Sequence, residues 1–269
     1  MQNLWRLIPP LSAPGPVQMA IDRWLLAQYR SGWHPPTLRF YTWSPPAISL
    51  GYHQQRWPSH WENLTWWGQP VELVRRPTGG RAVLHQGDLT YAVVTSGGGR
   101  QRMQSYRAIC EFLIAGWRSL GVELHYGGEG DYTRSPDCFA TATSADLVDP
   151  MGAKFVGSAQ LRQGTAILQH GSMRLAQDAA LFERVFGGGW TPVTLPDAVR
   201  GAGAIEVVVE ALTASACQCF GASFSVQPLS EAEWQGLYRH LPCPRESQLT
   251  PEVRAGENRA GDGQGYREH

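Results

Sequence analysis

The sequence predicts an α+β domain with a mixed, mostly antiparallel sheet and flanking helices. Helical and strand periodicities occur in mixed runs, without the regular alternation that builds a doubly wound parallel sheet. Short aromatic and β-branched runs are punctuated by Pro- and Gly-containing breakers, which is the pattern of strands joined by turns. At 269 residues, of which 42% are hydrophobic, the chain can bury a large core without disulfides or metals.

Taken in order, Val17, Ile21, Trp24, Leu25 and Tyr29 recur at three and four residues, so residues 17–29 predict an amphipathic helix entered from Pro14-Gly-Pro16 and covering a sheet. Residues 37–43 and 47–52 read as strands separated by Ser44-Pro-Pro46. Strand patterns at 71–76, 81–85 and 89–95 follow, and their spacing predicts a β-meander with a hairpin at Gly79-Gly80. Residues 106–120 have helical spacing through Ile109, Phe112, Leu113 and Trp117, with Gly121 as a left-handed stop. A strand at 122–126 and three more at 145–148, 154–160 and 165–170 come next, then helices near 177–186 and 203–219. A strand at 223–228 and a helix opened by the Ser230-x-x-Glu233 capping box end the ordered pattern. One domain is expected over residues 1–243. Residues 244–269 turn polar and are expected to form a disordered tail, because they bury too little apolar surface to offset their ordering entropy.

Basic and acidic residues balance at 23 each, which lacks the basic excess of a nucleic-acid binder. No apolar run approaches the ~20 residues of a spanning helix, and Met1 to Pro10 has neither a charged n-region nor an apolar h-region. A cytoplasmic protein that binds neither nucleic acid nor membrane is expected. The five cysteines, at 110, 138, 217, 219 and 243, form no Cys-x-x-Cys pair, so reduced thiols and no metal site are expected. Cys110, Cys217 and Cys219 fall in helical patterns, where small apolar packing is the ordinary role.

Lys154 is the only lysine; the other 22 basic side chains of the Lys and Arg count are arginine. It lies in Gly152-Ala-Lys-Phe-Val-Gly-Ser-Ala-Gln160, and its compact ammonium can press close to a carbonyl or a thiolate as a guanidinium cannot. The small residues Gly157, Ser158 and Ala159 would wall a narrow pocket or admit another backbone. In Arg75-Arg-Pro-Thr-Gly-Gly-Arg-Ala-Val-Leu-His85, the paired glycines let a ligand approach the backbone, though such a pair also serves as a plain turn. His85 and His170 could be ligands or satisfied core histidines. Cys138 stands in the loop-like Thr133-Arg-Ser-Pro-Asp-Cys-Phe-Ala140 as a candidate nucleophile, favoured by a nearby Lys154 and opposed by Asp137.

These motifs, with Pro36 to Gly51, Leu89-Thr-Tyr91 and Leu168-Gln-His-Gly171, resemble the biotin/lipoate protein ligase superfamily, most closely its lipoyl(octanoyl) transferase branch of the Gram-positive type. The resemblance implies the fold of class II aminoacyl-tRNA synthetases and biotin synthetases. It implies that Cys138, followed by Phe139, takes octanoyl from acyl carrier protein as a thioester and passes it to a lysine of a lipoyl domain. That domain would be the glycine cleavage H protein or the E2 component of a 2-oxoacid dehydrogenase. Lys154 would lower the thiol pKa and orient the acyl carbonyl, while Arg76, Thr78, Gly79, Gly80, His85, Gly157, Ser158, Ala159 and His170 would bind substrate. No cofactor is implied. Such chemistry needs a thiolate, oxyanion donors and a dry slot, and burying an octanoyl chain at ~0.8 kcal/mol per methylene gives about 5 to 6 kcal/mol. One departure is that Gln86-Gly87 separates the motif histidine from Asp88, where the family often has an acid directly after the histidine.

The same motifs fit an ATP- and Mg²⁺-dependent lipoate-protein ligase, in which Cys138 would be idle. They also fit an amidotransferase that moves acyl groups between carrier domains, and a noncatalytic acyl-binding homologue.

Overall fold

The computed structural model describes residues 3–97, 102–128, 146–239 and 241. Cys138, Cys243 and the expected tail at 244–269 lie outside the described residues.

The chain begins with strand β1 (Leu4–Ala13), helix α1 (Gly15–Arg30), β2 (Thr37–Trp43) and β3 (Ala47–Leu50). A small hairpin, β4 (Thr65–Trp66) and β5 (Gln69–Pro70), precedes β6 (Glu72–Arg75), β7 (Val83–His85) and β8 (Asp88–Ser96). Helix α2 (Arg102–Ser119), β9 (His125–Tyr126), β10 (Leu147–Val148), β11 (Lys154–Gln163) and β12 (Ala166–Arg174) follow. The chain continues through α3 (Ala179–Phe186), α4 (Ala204–Phe220), β13 (Ser223–Val226) and α5 (Glu231–Tyr238).

Eight strands form one sheet in the order β13-β1-β2-β8-β12-β11-β10-β9. β1 runs parallel to both β13 and β2, and every other pairing in that sheet is antiparallel. This is the α+β, mostly antiparallel architecture that the sequence predicts. Alternation along β8 explains the layering. Tyr91 and Val93 pack with Ile109, Phe112 and Leu113 of α2 and Val208 and Leu212 of α4. Ala92 and Val94 pack on the opposite face with Met19, Ile21, Leu25 and Leu26 of α1. With both faces covered, β8 is buried from Asp88 to Val94.

Two sequence expectations are corrected. First, the region 71–95 is not a meander. β3 is the centre of a separate three-stranded sheet, parallel to β6 and antiparallel to β7, while β8 belongs to the large sheet. The Arg76–Arg81 loop therefore crosses the end of β3 instead of closing a hairpin. Its passage is so close that a Cβ on Gly51 would lie 1.8 Å from the Gly80 carbonyl oxygen, and Gly80 has φ +99°. Second, residues 122–124 are not strand: Val122 and Leu124 are buried in the α2/α4 core, so their apolar alternation is satisfied without pairing. The sequence pattern assigned no element to the first residues, which form a ten-residue strand. Pro9 and Pro10 fall at the register break between Ile8 and Leu11, where a missing amide donor interrupts no ladder bond.

Helix α1 has no side-chain cap of its own at Pro14; Glu72 of β6 accepts from the Gly15 amide at 2.7 Å instead. That contact ties α1 to the small sheet. α1 thereby lies against both sheets, beside the glycine loop.

Candidate functional site

The guanidinium of Arg76 is spent inside the glycine loop. Its Nε and Nη2 donate to the Gly79 carbonyl at 3.2 and 2.8 Å, Nη2 also reaches the Arg81 carbonyl at 2.6 Å, and Nη1 donates to the Ser49 carbonyl at 2.8 Å. Arg75 makes a second brace, donating to the carbonyls of Gly51 at 2.9 Å and Gln54 at 2.6 Å. The loop is thus a fixed backbone surface. Gly79 is half-buried and Gly80 exposed.

Two buried hydroxyl–imidazole–carboxylate chains flank it. In one, Ser49 Oγ is 2.8 Å from His85 Nε2, and His85 Nδ1 is 2.8 Å from Asp88 Oδ2. Asp88 Oδ2 also accepts from Thr90 and Ser172, and Trp43 stacks on the His85 ring at 3.8 Å between centroids. Burial pushes the His85 pKa below its ordinary value despite the Asp88 carboxylate, so the ring is neutral and its Nδ1–H is donated to Asp88. Nε2 is then the acceptor for the Ser49 hydroxyl, leaving that oxygen to accept from Arg76 Nη1 at 3.3 Å. The Gln86-Gly87 insertion does not remove the acid from the histidine: the turn, with Gly87 at φ +64°, returns Asp88 to it.

In the second chain, Thr78 Oγ1 is 2.7 Å from His170 Nε2, and His170 Nδ1 is 2.7 Å from Asp22 Oδ2. Tyr41 donates to the same carboxylate oxygen at 3.0 Å, and Arg39 Nη1 lies 3.7 Å from Asp22 Oδ1. Burial, with Asp22 adding to it, raises the Tyr41 pKa far above normal, so the phenol remains a donor. Asp22, His170 and Thr78 are each at most 5% exposed.

On β11, Gly157 pairs with Ser172 and Ala159 with His170, so these two small residues share the α1 face with the second chain. Ser158 points to the other face, where it accepts from Tyr91 Oη at 2.8 Å. Its partner Gly171 has no room for a side chain: a Cβ there would meet Ser158 Oγ at 2.4 Å and Tyr91 at 2.7 Å. Gln169 continues this polar layer with Tyr91 and the Cys110 sulfur, at 3.2 and 3.3 Å. Among the described residues β10 pairs with β11 as far as Val156, and Gly157 to Ala159 are half-exposed. His170 thus links the glycine loop, through Thr78, to the small residues of β11, through its pairing with Ala159.

Lys154 opens β11. Its Nζ is 2.8 Å from Asp146 Oδ1, with side chains 3% and 6% exposed. Opposite charges in so little water hold each other in place.

Of the residues singled out in the sequence, Thr78 and His170 are in direct contact, Arg76 and His85 meet through Ser49, and Gly157 and Ala159 stand beside Ser172 and His170. Both ring nitrogens of His85 and of His170 are engaged with protein groups. Asp22, Ser49, Tyr91, Asp146 and Gln169 were not anticipated. Asp22 had a signal: with Gln18 it is a polar pair four residues apart on the buried stripe of an amphipathic helix. Among the described residues, no three His, Cys, Asp or Glu side chains converge on a metal position, and no helix is long and apolar enough to cross a membrane.

The family is shown by similarity. The lipoyl protein ligase A/B catalytic domain matches residues 14–192, and the chain belongs to that family. It is 41% identical over 198 residues to the octanoyltransferase LipM of Symbiobacterium thermophilum, covering 69% of this chain and 70% of that one. It is 40% identical over 191 residues to the LipM of Kyrpidia tusciae, covering 66% and 69%. Among solved structures, protein Ta0514 from T. acidophilum with bound lipoic acid superposes with a TM-score of 0.72 at 25% identity, over 90% of this chain and 95% of that one. A lipoate-protein ligase A bound with ATP gives a TM-score of 0.67 at 25% identity, over 90% and 94%.

Proposed function

We propose that this protein is an octanoyltransferase of protein lipoylation, acting as an acyltransferase on a lysine of a lipoyl domain. The single observation that carries this reading is the extended similarity to LipM octanoyltransferases, 41% identity over 198 residues. The geometry supports it through a buried ammonium at the head of a strand whose small residues pair beside His170, which contacts the braced glycine loop through Thr78.

The reaction follows from this chain's own groups. The Cys138 thiolate attacks the carbonyl carbon of an octanoyl thioester carried by acyl carrier protein; the carrier's thiolate leaves and takes up a proton. The amine of the acceptor lysine then attacks the Cys138 thioester, the C–S bond breaks, an amide forms, and the proton lost by the amine returns to the sulfur. Lys154, positioned by Asp146, favours the thiolate electrostatically and orients the carbonyl. The Gly79 and Gly80 amides receive the oxyanion, and the acyl chain lies along Gly157 and Ala159. Acyl transfer between thioester and amine requires no cofactor. The domain of residues 1–243, with 244–269 as a tail outside it, is the unit assigned to this work.

The test is steady-state transfer to a lipoyl domain from two donors. Octanoyl-acyl carrier protein without nucleotide supports transfer if the reading holds. Transfer only from free octanoate or lipoate with ATP and Mg²⁺ would replace it with the ligase reading.

A further inference from the structure

We propose that Asp22, His170 and Thr78 form a positioning relay that sets how the Gly79 and Gly80 amides face the acyl carbonyl. The inference rests on the octanoyl-transfer reading for the identity of that carbonyl, but the relay itself follows from peptide geometry.

The Thr78 carbonyl accepts from the Tyr52 amide at 2.8 Å, and the Gly79 carbonyl accepts from Arg76. In a planar trans peptide the N–H points opposite to the C=O. Pinning these two carbonyls therefore turns the amides of Gly79 and Gly80 away from Tyr52 and Arg76. Among the described residues neither amide donates to a backbone or side-chain acceptor. A Cβ on Gly79 would meet nothing within 4 Å, so the loop is open on that side. Two successive outward amides make a concave surface for negative charge, of the kind that stabilises an oxyanion when held rigid.

Glycines have no side chains by which to be held. Besides the Arg76 guanidinium on the Gly79 carbonyl, the loop is anchored by its own Thr78 side chain, whose hydroxyl contacts His170. Asp22 fixes His170 in turn, accepting a hydrogen bond from Nδ1–H and leaving Nε2 to face the Thr78 hydroxyl. Tyr41 holds the Asp22 carboxylate by donating to Oδ2, and the Arg39 charge stands 3.7 Å from Oδ1 without a hydrogen bond. The chain thus runs from α1 through β12 to the loop, and none of its members needs to touch the substrate.

Replacing Asp22 by Asn disturbs the relay at its far end. Arg39 beside Oδ1 favours the amide oxygen on its side, which turns the amide NH₂ toward His170 and reverses the tautomer. The expected results are a fall in kcat of at least about tenfold, with KM for octanoyl-acyl carrier protein within about twofold. In ¹⁵N NMR, His170 should change from the Nδ1–H to the Nε2–H form. Thr78→Val, which is isosteric, should lose kcat similarly, and Thr78→Ser should recover most of it. Wild-type kcat in Thr78→Val, a Ser variant no better than Val, or an effect on KM alone would overturn the relay. So would an unchanged His170 tautomer in Asp22→Asn, a readout independent of the reaction. Absence of octanoyl transfer in the wild type would instead overturn the function.

Discussion

Lys154→Met removes one half of a buried ion pair and leaves the Asp146 carboxylate without its ammonium 2.8 Å away. Both side chains are within a few per cent of full burial, so solvent screens the loss little. Breaking such a pair from one side destabilises by about 3 to 5 kcal/mol, which for a chain of this size lowers Tm by roughly 6 to 15 °C. Asp146→Leu should do the same by removing the carboxylate from beside the ammonium. The double variant Asp146→Leu, Lys154→Met removes both charges and should return to within about 1 kcal/mol of wild type, because no uncompensated charge remains. Its octanoyl transfer should stay abolished, separating chemistry from stability. Urea unfolding followed by tryptophan fluorescence measures all four proteins. Additive losses in the double variant, or single variants as stable as wild type, would refute the reasoning.

Further outcomes follow from other contacts. Gly51→Ala should greatly reduce transfer while leaving the fold cooperative in calorimetry, since its Cβ would collide with the Gly80 carbonyl and displace the loop; wild-type kinetics would contradict this. Gly116→Ala should destabilise by about 1 to 3 kcal/mol in urea despite better helix propensity, because the new Cβ meets Leu212 at 2.6 Å where α2 crosses α4. His85 has a folded-state pKa depressed below 6.5, so its stability contribution is present above pH 6.5 and lost as pH falls below it. His85→Gln should therefore flatten stability against pH below 6.5, as read by chemical denaturation. Burial pushes the Cys110 thiol up to about 12, so mapping of iodoacetamide adducts on the native protein near neutral pH should find Cys110 unmodified and Cys138 modified first.

The helices and most strands were legible because their burial follows local periodicity. β2 matches its aromatic run, and Ser230 and Glu233 make the reciprocal capping box that their spacing predicts. What was not legible depends on residues distant in the chain. β1 is hidden by Pro9-Pro10 and completed by β13 more than 200 residues later. The α1 cap comes from Glu72, 57 residues away, and the Asp22–His170 contact spans 148. The site was legible in part for the same reason. A lone lysine, paired glycines and a small-residue strand are local signals, whereas Asp146 and Asp22 acquire meaning only through the partners folding gives them. The crossover of the glycine loop was misread because Gly-Gly between two strands looks alike whether the strands are neighbours or have a third between them.

The most direct test of the account is intact-mass spectrometry of the protein mixed with octanoyl-acyl carrier protein in the absence of acceptor and nucleotide. The account predicts a gain equal to one octanoyl group, mapped to Cys138, released by a lipoyl domain with concomitant acylation of its lysine, and absent in Cys138→Ser. An unchanged mass in a protein that nevertheless transfers octanoyl, or an adduct that persists in Cys138→Ser, would contradict it.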